Sequence, residues 1–292
     1  MAKVLVSKVC GLCAGSRLAI DKTREAVKNQ KNVVLFKEIL HNKNVLKELE
    51  NQGASTKNLL EEMTEKDYVI IRAHGEPKST YDNLNSRNIK YLDCTCGNVK
   101  AINFLVNKKE AEGYKIILIG KYGFNGKEMH PEVKGTSGWC TNPIMIEDES
   151  EVDNIDMSYP KYFLVIQTTF SKTKAEKILE KIKNVMNENK KIFEYKNTIC
   201  DAQKNINIAS KQLAEKVDVM IVIGGKNSSN TKELYNAMKD IKPSYHIENQ
   251  TDLLELINLG LISHNQTIGL TAGASTMLED IENIKKFLET KV

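Results

Sequence analysis

Short apolar runs alternate with longer amphipathic runs along this chain, and this alternation restricts the fold more than any other feature. Residues 4–6, 33–36, 68–73, 89–92, 115–119, 162–166, 218–223 and 268–270 read as strands. Residues 14–29 and 44–51, and the stretches from 97 to 112 and from 172 to 189, read as helices. Strands alternating with helices imply parallel sheets in an α/β architecture. In such sheets ligands bind beyond the carboxyl ends of the strands. The 292 residues are enough for two or three domains.

Three cysteines divide the chain. Cys13, Cys96 and Cys200 each precede a helix-like segment and lie 83 and 104 residues apart. They set expected α/β domains at 1–96, 97–197 and 198–292, although the three stretches are too dissimilar to read as a sequence repeat. A thiolate at a helix start is stabilised by helix N–H groups. Three such thiolates at one centre would leave a fourth position open on a tetrahedral metal or an iron–sulfur cube. Other uses of the thiols stay open at this point. Cys10-Gly11-Leu12-Cys13 has dithiol redox spacing, and four of Cys10, Cys13, Cys94, Cys96 and Cys200 could hold a structural zinc. Cys140, beside Trp139, reads as a structural thiol.

The inferred strand ends carry AHG (73–75), QTTFS (167–171), GGKNSSN (224–230) and TAGAS (271–275). These small, hydroxylated and amide residues before helix starts suit an anion, which they can meet with backbone N–H groups and hydroxyls. GGKNSSN lacks the spacing of a Walker A loop, so a nucleotide P-loop is not implied. His41, His74 and His130 each sit near a strand end or a Gly/Pro turn, and beside a diphosphate they would be held protonated. Glu132, two residues after His130, is a candidate acid. His246 and His264 lack this context.

Hydrophobic residues are 41% and charged residues 27%, with a net charge of +4. No like-charge block reads as a nucleic-acid arm, and no apolar run reaches membrane-span length. The opening MAKVLVSKVC lacks signal-peptide architecture. A cytoplasmic location is expected, where six cysteines are reduced, metal-bound or catalytic rather than disulfide-bonded.

Nine stretches in order now carry a resemblance: GLCAG (11–15), EILHN (38–42), AHG (73–75), DCTC (93–96), HPEVKGT (130–136), QTTFS (167–171), TIC ending at Cys200, GGKNSSN (224–230) and TAGAS (271–275). Together they resemble the IspH/LytB family of 4-hydroxy-3-methylbut-2-enyl diphosphate reductases, enzymes of isoprenoid biosynthesis. The resemblance implies three pseudo-similar α/β domains with small parallel sheets, arranged as a clover leaf around a central iron–sulfur cluster. It implies a [4Fe–4S] cluster on Cys13, Cys96 and Cys200, with the fourth iron taking the substrate hydroxyl. His41, His74, His130, Ser228, Ser229, Asn230 and Ser275 would hold the diphosphate, and Glu132 and Thr168 would relay protons. Electrons would come from a ferredoxin or flavodoxin. The departures cluster near the cysteines: Gly97 stands where the family has proline, Asp201 where it has an aromatic residue, and Cys10 and Cys94 are extra thiols. They leave room for a paralogue acting on another diphosphate, or for a sensor whose cluster is closed by a fourth cysteine.

Overall fold

A computed structural model describes residues 3–39, 43–226, 228–274 and 276–292, without the side chains at 43, 44, 125, 229 and 230. The expected ligands His41 and Ser275 lie outside the described residues, as do the side chains of Ser229 and Asn230. The chain opens with β1 (Lys3–Val6) and α1 (Ala14–Asn29). The first complete sheet follows, with β2 (Val33–Phe36), α2 (Lys43–Asn51), β3 (Ser55–Lys57), β4 (Tyr68–Ile71), α3 (Lys78–Ser86) and β5 (Lys90–Asp93). Its order is β3-β2-β4-β5, with every pair parallel. The central strands β2 and β4 read VVLF and YVII because both faces of a parallel sheet are covered. Strand β4 ends two residues before Ala73, where Gly75 N–H closes a turn onto the Arg72 carbonyl.

Helix α4 (Gly97–Ala111) leads to the second sheet: β6 (Lys115–Ile119), α5 (Pro131–Ser137), β7 (Ile144–Ile146), β8 (Lys161–Ile166), α6 (Lys172–Glu188) and β9 (Ile192–Tyr195). Its order is β7-β6-β8-β9, again all parallel. These two sheets form one compact unit, Leu18–Cys200. Ile102 and Val106 of α4 join Ile116, Leu118, Phe163 and Val165 in one buried cluster, so the helix after the first sheet is core for the second.

The other unit combines the segment up to Arg17 with Asp201–Val292. It contains α7 (Ala202–Ala214), β10 (Val219–Ile223), α8 (Ser229–Lys239), β11 (Ser244–Ile247), α9 (Gln250–Asn258), β12 (Thr267–Ala272) and α10 (Leu278–Lys291). Its parallel sheet has the order β1-β12-β10-β11.

The three sheets share one topology. In each, the second strand pairs on one side of the first and the third pairs on the other. The connections therefore diverge between β2 and β4, between β6 and β8, and between β10 and β12, and such switch points are where α/β sheets take ligands. The fourth strand is β5 in the first sheet and β9 in the second; in the third it is β1, from the opposite end of the chain. Cys96, Cys200 and Cys13 follow these three fourth strands. We keep the division near residues 96 and 197 as a proposal, with β1 counted to the third stretch because Lys3–Val6 pair with residues 267–270.

Candidate active site

In the unit Leu18–Cys200, two switch points supply the polar groups. At the first, Glu76 joins the strand exits: its carboxylate accepts from Lys37 Nζ after β2 (2.8 Å) and from Arg72 Nε after β4 (3.0 Å). Glu76 is buried, so both cations are needed to offset its desolvation. Gly75 has φ +72°, and a Cβ there would lie 2.9 Å from Thr95 Cγ2. Only glycine meets both conditions without strain. The same turn carries His74, and the Ala73 carbonyl accepts the Cys96 N–H at 2.9 Å.

At the second switch point His130 is the N-cap of α5, with Pro131 following it. Its Nδ1 accepts the Glu132 N–H at 3.2 Å. With Nδ1 accepting in the cap, Nε2 is the ring nitrogen that can donate to an anion. The rings of His74 and His130 are 5.6 Å apart and close to perpendicular. The close approach comes from α5 lying on residues 75–77 through Gly135 and Gly138.

Glu132, in the first turn of α5, is 3% exposed. Thr168, just after β8, donates to both carboxylate oxygens, from its N–H at 2.6 Å and from its hydroxyl at 2.7 Å. Glu132 lines a crevice too small for water together with Ile102, Leu118, Val133, Ile166, Thr136 and Gln167. Burial raises its pKa, and the two Thr168 donors offset this only in part. A proton is thus kept on an acid at higher pH than usual. The Thr168 carbonyl accepts the Cys200 N–H at 2.8 Å, so one residue, Thr168, joins the acid to this cysteine.

In the other unit Ser228 caps α8, its hydroxyl accepting the Thr231 N–H at 3.3 Å. Positions 229 and 230 open that helix. The Thr231 hydroxyl is buried and has no hydrogen-bond partner among the described residues. The loop before Cys13 is tied to the end of β12, with Gly11 N–H on Ala272 O (3.1 Å) and Leu12 N–H on Thr276 O (2.9 Å). Cys13 accepts from the Ser16 N–H at 3.5 Å, and its thiol lies 3.3 Å from Ser16 Oγ.

The six thiols fall into two sets. Cys94 and Cys140 are held neutral by burial, with pKa values pushed up to about 11 and about 12. Burial also raises Cys10, which packs against the core of its sheet and donates to the Ser7 carbonyl at 3.4 Å. Cys13, Cys96 and Cys200 are partly exposed and precede α1, α4 and α7. The carbonyls of Cys13 and Cys96 accept the first helical N–H groups, from Arg17 and Lys100, each at 2.9 Å. Among the described residues, no three His, Cys, Asp or Glu side chains form a single-metal site. No described helix is long and apolar enough to cross a membrane.

A family model described as LytB protein matches residues 4–289. The chain belongs to the LytB family. Among its relatives, the 4-hydroxy-3-methylbut-2-enyl diphosphate reductase of Clostridioides difficile is 34% identical over 289 residues, covering 98% of this chain and 99% of that protein. The protein of the same name from Caldanaerobacter subterraneus is 36% identical, covering 97% and 96%. A solved structure of (E)-4-hydroxy-3-methyl-but-2-enyl diphosphate reductase, described as the terminal enzyme of the non-mevalonate pathway, matches with a TM-score of 0.79 at 32% identity, covering 99% of this chain and all of that one. The Plasmodium falciparum reductase structure matches with a TM-score of 0.78 at 28% identity, covering 98% and 87%. Within this LytB chain, the structure brings together His74, His130, Glu132 and Thr168 in one unit. Ser228 lies at the switch point of the other. Thr231 escaped the sequence reading, although it extends the hydroxyl-rich run of GGKNSSN by one residue.

Proposed function

We propose that this chain reduces 4-hydroxy-3-methylbut-2-enyl diphosphate, removing its allylic hydroxyl to give isopentenyl and dimethylallyl diphosphates. Two electrons and two protons enter, the C–O bond breaks, and water leaves. The observation that carries the reading is the buried Glu132 carboxyl held by both donors of Thr168. Burial raises the pKa of this acid, and the same unit carries His74 and His130 with their rings 5.6 Å apart.

Cys13, Cys96 and Cys200 would hold a [4Fe–4S] cluster. The donor set fits: three partly exposed thiols at helix starts, where N–H groups stabilise thiolates. When bound, the cluster supplies one-electron reduction and a Lewis-acidic iron for the substrate hydroxyl. His74 and His130 donate to the diphosphate through ring N–H groups, and Ser228 offers a hydroxyl at the N-terminus of α8. We assign His41, Ser229, Asn230 and Ser275 to the same ligand from their matched positions. Glu132 gives its proton to the departing oxygen through the Thr168 hydroxyl. Cys10 packs against the core of its sheet and Cys94 is buried, which supports a cluster left open at its fourth position. The reaction is placed in the cytoplasm, with a ferredoxin or flavodoxin as donor.

The test is anaerobic. Protein loaded with iron and sulfide is given the hydroxylated diphosphate and a one-electron reductant. Both products are expected, with two electrons consumed per molecule. A cluster spectrum that substrate does not perturb, together with no product, would replace the reductase reading by the sensor reading.

A further inference from the structure

We propose that Gln167 is the positioning residue of the Glu132–Thr168 pair, closing a hydrogen-bonded circuit that sets where the acid and the hydroxyl meet. This rests on the reading of Glu132 as the proton donor.

The circuit can be followed bond by bond. Gln167 Oε1 accepts the Lys121 N–H at 2.9 Å. The carbonyl of Lys121 accepts the His130 N–H at 2.8 Å. Nδ1 of His130 accepts the Glu132 N–H at 3.2 Å, and Glu132 accepts both donors of Thr168. Thr168 is joined to Gln167 by a peptide bond, so the ring is complete. On its other side Gln167 Nε2 donates to Thr169 Oγ1 at 2.9 Å, and its backbone N–H is fixed on the Ile119 carbonyl at 2.8 Å. The side chain is 2% exposed, so water does not compete for these bonds.

The chemistry of the position is narrow. A peptide N–H can only donate, so Lys121 requires an acceptor and fixes which end of the amide faces it. The Thr169 hydroxyl takes the other end. A glutamate would supply acceptors too, but would place a second carboxylate in the circuit with Glu132 and alter its titration. A neutral amide joins the two strand exits without adding charge. What Gln167 controls is the placement of Thr168 over the carboxyl, and a small misplacement at a reacting pair is costly in rate.

The test uses Gln167→Met, which is similar in length but makes neither bond, and Gln167→Asn, one carbon short of Lys121, in case the methionine variant does not fold. Glu132→Gln is measured beside them. The kcat and KM for the hydroxylated diphosphate are determined with bound iron quantified in each preparation. The expected result is a kcat per bound iron lower by about 10- to 100-fold, with KM within about twofold of the parent. An unchanged kcat, or a raised KM at unchanged kcat, overturns the proposal. So does a loss that disappears on normalising to iron, since that would place the role of Gln167 at Cys200. If Glu132→Gln is slow while the Gln167 variants are normal, only this inference fails. If Glu132→Gln turns over normally, the acid assignment fails, and this inference with it.

Discussion

Glu132 shows how one buried side chain links stability to chemistry. Its pKa is raised by desolvation, so the folded chain binds its proton more tightly than the unfolded chain does. Between the ordinary glutamate pKa and the raised one, the folded state holds more protons. Stability therefore falls as pH rises through that window. Glu132→Gln keeps the Thr168 N–H bond and lets the Thr168 hydroxyl reverse to accept, but never ionises. Chemical denaturation above the ordinary glutamate pKa is expected to find Glu132→Gln at least as stable as the parent and less dependent on pH. Turnover should fall by roughly 10²–10⁴-fold. Equal pH dependence in the two proteins would mean that Glu132 titrates normally. At this scale the sequence was readable where a residue's neighbours disclosed it, as with Glu132 beside His130. Gln167 was readable as the first residue of QTTFS but its tie to Lys121 was not, because that partner is 46 residues away.

The elements were legible in proportion to their burial. The central strands β2, β4, β6, β8, β10 and β12 appear as apolar runs because both of their faces are covered. The strands that the sequence did not disclose, β3, β7, β9 and β11, are all edge strands. They are short and partly wet: STK, IFEY and SYHI mix polar with apolar residues, and IMI is only three residues long. The close approach of His74 and His130 is also a property of an element, the seating of α5. A Cβ on Gly138 would overlap Pro77, with Pro77 Cα only 2.9 Å away. Gly138→Ala is expected to cost about 1–3 kcal/mol by overpacking. It should also weaken diphosphate binding by moving His130 away from His74. Denaturant unfolding and ligand titration check the two effects, and an unchanged midpoint would show that the contact relaxes freely.

For the molecule as a whole, the same strand order is used three times, and a cysteine follows the fourth strand of every sheet. The proposed ligand set gives these three equivalent positions one role. Serine at Cys13, Cys96 or Cys200 should remove most cluster iron, whereas Cys140→Ser, at a half-buried thiol that follows no fourth strand, should keep it. Cys10→Ser and Cys94→Ser should keep the cluster as well. Iron and sulfide analysis with the visible spectrum decides this, and full retention in Cys200→Ser would overturn the ligand set. The small net charge of +4 adds no long-range preference of its own for a polyanionic partner.

The amino-acid order alone determined that the sheets are parallel and that small polar residues gather at the strand exits. Both follow from local patterns: apolar runs of strand length, and small polar residues where a strand yields to a helix. It also singled out Cys13, Cys96 and Cys200 through their matching contexts. Only the tertiary structure decided that β1 completes the sheet of β10–β12, since pairing partners more than 200 residues apart leave no local trace. Only packing decided that burial raises Cys10, Cys94 and Cys140, that His130 spends Nδ1 on its helix, and that desolvation raises Glu132. Burial depends on what other segments bring, and desolvation sets the chemistry of those groups.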